Sequence, residues 1–496
     1  MGGIVNMLCI PDTTEKALIL GNQNVLYTEL HMRIRQKMDK LSVFEKKAYL
    51  KISIDLPDSF TLLEWVMAAW SAMHCVLVLD QRLTEEEKLQ RIQRFKPDLC
   101  IQSRPNISRG ISSFEGDVED VVVPFAPLTP ANRQDETFLY GWEIKLDSSF
   151  QNSTQQLDLP ALVLFTSGST GIPKQVIRTF ESLKNEWEHY VQFDGAPKPS
   201  DTVLCLAPIS HSFGLLSASL YTLQMGGTVI FPSSIRAQDV TQVIHDFKVT
   251  HVYGVNFHYQ LLARLWRKTP PDFSIKPVFL SSGGKLDLSI VNEFREVFGF
   301  QIGQQYGMSE VGFISVDFRG DKSGCVGRIS KHFERHIDSQ GQLVLHLSRS
   351  PYTEDEPNWE NDGSGLGGGY LYTQDVVKVD KDGDAFIIDR MNQQVSVGGL
   401  KVNLDEVEDV LKSHPIVADC AVIARDHDVF GSQLEAFIVL NNMECMSNSE
   451  VRKWLTGILA PHKVPRFIYI IDEIPYSQTG KKLKGKLLKE CMHDAV

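Results

Sequence analysis

Residues 166–174 read TSGSTGIPK, and six of these nine residues are Gly, Ser or Thr. Thr166, Ser167, Gly168, Ser169, Thr170, Gly171 and Lys174 make a composition suited to anions. Glycines let the backbone approach closely, hydroxyls donate hydrogen bonds, and the lysine adds positive charge. An ordinary surface turn has no need of this combination, so the run reads as a phosphate-binding loop. It is not a Walker motif, because Gly168, Gly171 and Lys174 lack the GxxxxGK spacing and no Ser or Thr follows the lysine. A P-loop kinase or GTPase is therefore disfavoured. A second glycine-rich run, GSGLGGG (363–369), meets GxGxxG through Gly363, Gly365 and Gly368. It follows an acidic stretch and precedes a strand pattern, whereas a dinucleotide site needs a strand before it and a helix after it. It reads as a flexible loop.

Four further segments follow the first run in order: QQYGMSE (304–310), YLYTQD (370–375), DRMNQQVSVGGLKVNLDEVE (389–408) and PYSQTGKKLK (475–484). With TSGSTGIPK ahead of them, these five segments resemble the motifs of the adenylate-forming superfamily. That superfamily comprises acyl- and aryl-CoA synthetases, luciferases and the adenylation domains of peptide synthetases. The matches span residues 166–484, most of the chain.

The resemblance implies a reaction and assigns roles. A carboxylate joins the α-phosphate of ATP and pyrophosphate leaves, so two anions meet and the transition state needs cations and donors. Lys481 matches the lysine that bridges carboxylate and nucleotide. Glu310 matches the glutamate that holds Mg²⁺, a hard ion preferring oxygen ligands. Ser309 keeps the hydroxyl offered to the α-phosphate, where Thr is usual. Tyr306, beside Gly307, matches the aromatic that packs on adenine. Asp375 matches the acceptor of both ribose hydroxyls, and Arg390 the ribose-contacting arginine. His211, in APISHSFGLL, matches the histidine or aromatic set against the acyl pocket, with Phe213 close by. Gly283, Gly284 and Lys285 occupy a stretch that lines the acyl and adenine pockets. Lys285, if it points inward, would pair with a second polar group on the acid.

The same resemblance implies a second step, in which a C-terminal domain swings about a hinge at Asn392 and a thiol attacks the adenylate. Gly398 and Gly399 are small enough for the passage of a pantetheine arm. The thiol is CoA or the phosphopantetheine of a carrier protein. Amino-acid-activating members carry an Asp near His211, and Ser210–Gly214 offers none, so a fatty or aryl acid is expected rather than an α-amino acid. Three residues depart from the pattern: Gln374 for Gly, Asn392 for Asp or Lys, and Ser396 for Lys. None removes a group needed for adenylation. A degenerate member that binds nucleotide without turnover is the alternative from another class. Keeping Lys481, Glu310, Asp375 and Arg390 together argues against it.

Positioning these residues requires an α/β framework. VLCLAP (203–208), TVIF (228–231), HVYGV (251–255) and PVFLSS (277–282) read as buried strands, and 286–298 as an amphipathic helix. Past residue 300 the rhythm becomes β-rich, with LVLHL, YLYTQDVVKVD and AFIID as strands and DKDGD (380–384) as a hairpin turn. Residues 349–369 are polar, acidic and glycine-rich and are expected to be a mobile loop. The expected fold is a large N-terminal α/β unit of several subdomains, one of them β-rich. A small, mobile α+β C-terminal domain completes it. The expected boundaries are 1–390 for the ATP- and acid-binding domain and 391–496 for a lid carrying Lys481.

The chain has 496 residues, 43% of them apolar, and a net charge of −12, which disfavours a nucleic-acid partner. The balance is uneven: residues 451–496 carry a net +5, next to Lys481. Eight scattered cysteines form no CxxC, so reduced thiols and no zinc site are expected. The first residues lack the pattern of a signal peptide, and residues 62–79 contain Glu64, Ser71 and His74, which reads as a buried helix and strand, not a membrane span. A cytoplasmic enzyme is expected.

Overall fold

The computed structural model describes residues 10–11, 13, 15–21, 23–44, 48–83, 85–103, 120–124, 157–166, 174–284, 286, 288–365, 367–390, 394–397, 400–427, 431–441, 446–459, 461–477, 482–484 and 486–487. The apolar stretch at 62–79 divides as its composition predicts. Ser59–Ser71 is a helix capped by Asp58, whose carboxylate accepts the Thr61 N–H at 2.7 Å, and Cys75–Val78 is a fully buried strand. No described helix is long and apolar enough to cross a membrane.

The chain forms two compact units, Met1–His332 with Arg349–Pro357, and Phe333–Ser348 with Asn358–Val496. The first unit contains two largely parallel sheets. One runs in the order Asp120–Pro124, Leu99–Ser103, Lys51–Asp55, Cys75–Val78, Pro160–Thr166, Lys174–Thr179, antiparallel only at its two ends. In the other, Lys16–Leu20, Thr228–Phe231, Thr202–Cys205, His251–Gly254, Val278–Ser281 and Ile302–Met308 lie parallel. Gly312–Asp317 and Cys325–Ile329 then return antiparallel. The four apolar runs read as strands are strands, and their parallel pairing explains why they lack alternation: both faces are buried. Helices Asn256–Trp266 and Leu288–Glu296 cover this sheet, with Trp266 fully buried among Phe273, Phe279, Phe294, Phe298 and Phe300.

The second unit is mostly antiparallel. Glu334–Ile337, Gln342–Leu347, Gly369–Val379 and Asp384–Arg390 form a meander, and the Asp380 N–H donates to the Asp384 carbonyl at 2.9 Å in the expected hairpin. A separate sheet of Leu400–Asn403, Gln394–Val397, Gly431–Leu440, Val417–His427 and Phe467–Ile470 packs against helices Leu404–Lys412 and Asn448–Thr456. The architecture is the mixed α/β class the sequence predicts.

The stretch 349–369 departs from its reading as a mobile loop. The Ile177 N–H donates to the Pro351 carbonyl at 2.8 Å, Arg349 pairs with Asp158, and Glu354 and Glu356 meet Arg94 and Lys174. Trp359–Asn361 is a strand on Gly369–Val379. Its acidic residues have basic partners from distant segments, which local composition does not reveal.

Two buried histidines make stability depend on pH. Nδ1 of His74 accepts the Leu50 N–H and Nδ1 of His258 accepts the Val255 N–H, at 3.3 and 3.1 Å. Burial pushes both imidazoles down to about 4, and protonation of Nδ1 would also break these bonds. The native values lie below the unfolded value, so the unfolded chain binds more protons between them. Stability is full above pH ~6.5 and falls as pH drops toward 4, by up to ~1.4 kcal/mol per histidine per pH unit. Urea unfolding at pH 7 and pH 5 is expected to show a lower midpoint at pH 5, with a smaller drop in His258→Gln. Equal midpoints at the two pH values would contradict the neutral, buried assignment.

Candidate active site

The Gly/Ser/Thr run lies between two paired strands. Pro160–Thr166 runs antiparallel to Lys174–Thr179, with Thr166 directly opposite Lys174. Ser167, Gly168, Ser169, Thr170 and Gly171 lie outside the described residues. The Lys174 ammonium forms an ion pair with the mostly buried Glu356 carboxylate, so its charge is already engaged within the protein.

Strand ends of the same unit converge on a cavity lined by Asp80, Arg91, Phe165, Ser210, His211 and Ser309, among others. Asp80 stands just past Cys75–Val78, and Phe165 lies in Pro160–Thr166. Ser210 and His211 lie in the turn after Thr202–Cys205, and Ser309 in the turn between Ile302–Met308 and Gly312–Asp317. The buried Asp80 carboxylate accepts from Arg82 Nε and Nη2, both at 3.0 Å, and from the Ser210 hydroxyl at 2.8 Å. His211 Nε2 is 3.5 Å from its Oδ2. Burial opposes the charge on Asp80, but His211, Arg82 and Ser210 outweigh it and hold the carboxyl far below the usual range.

His211 leads into a π-helix, Phe213–Leu220, an irregularity often found at functional sites. A Cβ on Gly214 would stand 2.4 Å from the Pro208 carbonyl oxygen, so only glycine fits this entry. The Phe213 ring is buried with its centroid 5.4 Å from that of Tyr253. Gly283 turns the chain after Val278–Ser281 with φ +87°, and a Cβ on Gly284 would meet nothing within 4 Å. Lys285 lies outside the described residues.

Tyr306 and Gly307 sit at a register shift in the hairpin of Ile302–Met308 and Gly312–Asp317. A Cβ on Gly307 would lie 2.4 Å from the Gly312 carbonyl oxygen. Glu310, in the connecting turn, accepts from the Tyr352 hydroxyl at 2.9 Å. Behind this turn is a buried ion pair, Arg178 Nη2 to Glu186 Oε2 at 2.9 Å. Glu186 also accepts the Phe313 N–H at 3.3 Å, and its carboxylate packs where Gly312 (φ +79°) would carry a Cβ, 2.2 Å away. Burial pushes Glu186 up, and Arg178 and the Phe313 N–H oppose it.

In the second unit, Asp375 is buried and faces Arg390 across Gly369–Val379 and Asp384–Arg390, with Arg390 Nε 3.5 Å from its Oδ1. Asp375 also receives a neighbouring constraint: its N–H donates to the Thr373 hydroxyl at 3.2 Å. Gln374, which stands where the superfamily has Gly, adopts φ +64° and is held by Gln342, whose Oε1 accepts its N–H at 3.0 Å and its side-chain Nε2 at 3.1 Å. Lys482 and Lys484 both pair with Glu408, the latter at 2.7 Å, so part of the tail's positive charge is neutralised by the protein itself. Asn392, Gly398, Gly399 and Lys481 lie outside the described residues.

The family model for AMP-binding enzymes matches residues 12–345, and the model for their C-terminal domain matches residues 406–481. The chain belongs to the AMP-binding enzyme family. It is thus a member of the adenylate-forming superfamily and an AMP-forming ligase. Among curated relatives, the 2-succinylbenzoate–CoA ligase of Bacillus subtilis (strain 168) is 26% identical over 491 residues, 95% of this chain and 94% of that one. The feruloyl-CoA synthase of an Amycolatopsis species is 30% identical over 345 residues, 67% and 70% of the two chains. The fold matches ATP-bound MatB from Rhodopseudomonas palustris with TM-score 0.77 at 20% identity over 98% of each chain. It matches o-succinylbenzoate CoA synthetase from Bacillus subtilis with TM-score 0.71 at 23% identity over 95% of each.

Asp80, Arg82, Arg178, Glu186 and Tyr352 belong to none of the sequence motifs. Signals for two of them exist. Glu186 shares a helix face with Phe180, Leu183, Trp187 and Tyr190, and a carboxylate on an apolar face demands a partner. Asp80 directly ends the apolar run CVLVL.

The left-handed conformation of Gln374 yields a stability test. It costs an ordinary residue roughly 1–2 kcal/mol, and a β-branched side chain suffers most. Gln374→Val is expected to lower the unfolding free energy by about 1–2 kcal/mol in urea. Gln374→Gly is expected to stay within about 0.5 kcal/mol of the parent, relief of φ offsetting the lost side-chain bond. Equal losses in the two variants would contradict the assignment.

Proposed function

We propose that this enzyme activates a fatty or aryl carboxylic acid with ATP, releases pyrophosphate, and passes the acyl group to the thiol of CoA. One observation carries the reading: His211 and Ser309, from motifs far apart in sequence, meet in one cavity beside Phe165, next to the start of the Gly/Ser/Thr run. Two of the relatives are named for joining an aromatic acid to CoA, which favours an aryl acid and CoA. Asp80 brings a carboxylate beside His211, but Arg82 and Ser210 already satisfy it, so it is poorly placed to pair with a substrate ammonium. A non-amino acid remains the better substrate.

In the adenylation step a carboxylate oxygen attacks the α-phosphorus and pyrophosphate leaves. Thr166, Ser167, Gly168, Ser169, Thr170 and Gly171 offer hydroxyl and amide donors to the phosphates, and Ser309 offers its hydroxyl to the α-phosphate. Tyr306, next to Gly307 in the chain, stacks on adenine, and Gly284 helps to line the nucleotide pocket. Asp375 accepts from the ribose hydroxyls, oriented by Arg390. His211 and Phe213 border the acyl group, and Gly283 and Lys285 are assigned to the same pocket. Lys481 brings its charge to the carboxylate and phosphate oxygens. Its neighbours Lys482 and Lys484 are engaged with Glu408, which supports assigning the catalytic charge to Lys481. The Glu310 carboxylate, an oxygen donor steadied by Tyr352, suits Mg²⁺, which would neutralise phosphate charge there. For thiol transfer, residues 391–496 act as a lid that turns at Asn392 and brings Gly398 and Gly399 to the site in place of Lys481.

A pyrophosphate-release screen over fatty, aryl and α-amino acids, with and without CoA, tests this reading. Release is expected with a fatty or aryl acid, with sustained turnover only when CoA is present. With the acid so found, Lys481→Ala is expected to lose acid-dependent ATP–pyrophosphate exchange by about 100-fold or more. It should still transfer the acyl group from supplied acyl-adenylate to CoA. Exchange within a few-fold of the parent enzyme would contradict the role of Lys481. Sustained turnover with a phosphopantetheinyl carrier protein but not with CoA would contradict the acceptor.

A further inference from the structure

Among the described residues lining the cavity, Arg91 carries a buried guanidinium nitrogen with no hydrogen-bond partner. Arg91 lies on the helix Glu85–Phe95, and its guanidinium stands over the Phe165 ring, 5.8 Å from the centroid. Its Nε is buried with no hydrogen-bond partner. Asp80, the acidic residue lining the same cavity, is engaged by Arg82 and Ser210, and both Asp80 and Glu87 act on Arg91 only through space. Burial disfavours its charge. A half-buried guanidinium with an unanswered donor is costly unless an anion comes to it. Because Arg82 and Ser210 already occupy the Asp80 carboxylate, Asp80 offers Arg91 only a through-space attraction and no hydrogen bond.

The choice of anion follows from position. Lys174, at the far end of the Gly/Ser/Thr run, is tied to Glu356, whereas Arg91 rests on Phe165, the residue before Thr166 where the run begins. The hydroxyl of Ser309 lines the same cavity. A planar guanidinium beside hydroxyls matches the oxygens of a phosphoryl group. We propose that Arg91 binds a phosphoryl oxygen of ATP, and of the pyrophosphate that leaves, in the cavity it shares with His211 and Ser309. The inference rests on the ATP-dependent reading above and assigns to Arg91 the charge that Lys174 was expected to supply.

Calorimetric titration of the full chain with Mg-ATP, Mg-pyrophosphate and adenosine tests it. Arg91→Met keeps the apolar stem over Phe165 and removes the charge. It is expected to bind ATP and pyrophosphate roughly tenfold or more weakly than the parent, the range for losing a charged hydrogen bond. Adenosine affinity should stay within twofold, a result that a merely structural role would not give. Arg91→Lys should fall between the two, and Arg91→Gln should repeat the loss if Arg91→Met does not fold. Unchanged ATP and pyrophosphate affinity in the neutral variants overturns the proposal. So does an equal loss of adenosine, which makes Arg91 structural, or a rise confined to the KM for the acid, which makes its ligand the carboxylate. A parent enzyme that binds no ATP contradicts the functional reading itself, and this is seen before any variant is compared.

Discussion

The Arg178–Glu186 ion pair is the constraint on which the Gly/Ser/Thr run's outgoing strand and the Ser309–Glu310 turn depend. Arg178 lies on Lys174–Thr179, the strand that leaves the Gly/Ser/Thr run, and Glu186 on the helix that follows. Both side chains are almost fully buried. Glu186 reaches the Phe313 N–H and fills the space beside Gly312, so one carboxylate sets the hairpin whose turn presents Ser309 and Glu310. Leaving one member of such a buried pair alone costs about 3–5 kcal/mol. Two motifs far apart in sequence are therefore held in register by a pair that belongs to neither.

Electrostatics in the adjoining cavity follow the same logic of local neutralisation. Asp80 is ionised, buried and saturated by Arg82 and Ser210, and it fixes the loop from which His211 projects. Lys174 is balanced by Glu356, and Lys482 and Lys484 by Glu408. Among the described residues, Asp80, Lys174, Lys482 and Lys484 are thus balanced by the protein itself. The net +5 of the last residues therefore overstates the positive field available to an anionic substrate.

Much of the fold was legible in the sequence. Continuous apolar runs such as TVIF and HVYGV read as buried strands, and their parallel pairing in the structure accounts for the burial of both faces. The glycine-rich false lead at 363–369 was separable by its context. Candidate residues were legible only where they sit in compact motifs: Glu310, Ser309, Asp375 and Arg390 were assigned through the resemblance of their motifs to those of the superfamily. Asp80, Arg91 and Tyr352 reach the site through tertiary packing of separate segments, and no spacing in one sequence encodes that. The stretch 349–369 misled for the same reason, since Glu354 and Glu356 are ordered by partners from distant strands and helices. Gln374 shows the converse: a mismatch with the expected glycine was visible in the sequence, and the structure explains it through the positive φ and the bonds to Gln342.

In the proposed reaction the acid is activated as its adenylate. The most direct test supplies the acid with both carboxylate oxygens as ¹⁸O, together with ATP and CoA, and follows the label by mass spectrometry. If the carboxylate attacks the α-phosphorus and the thiol then displaces AMP, each AMP released carries one ¹⁸O, and pyrophosphate carries none. Label appearing in orthophosphate alongside ADP would show activation at the terminal phosphate and would contradict the account.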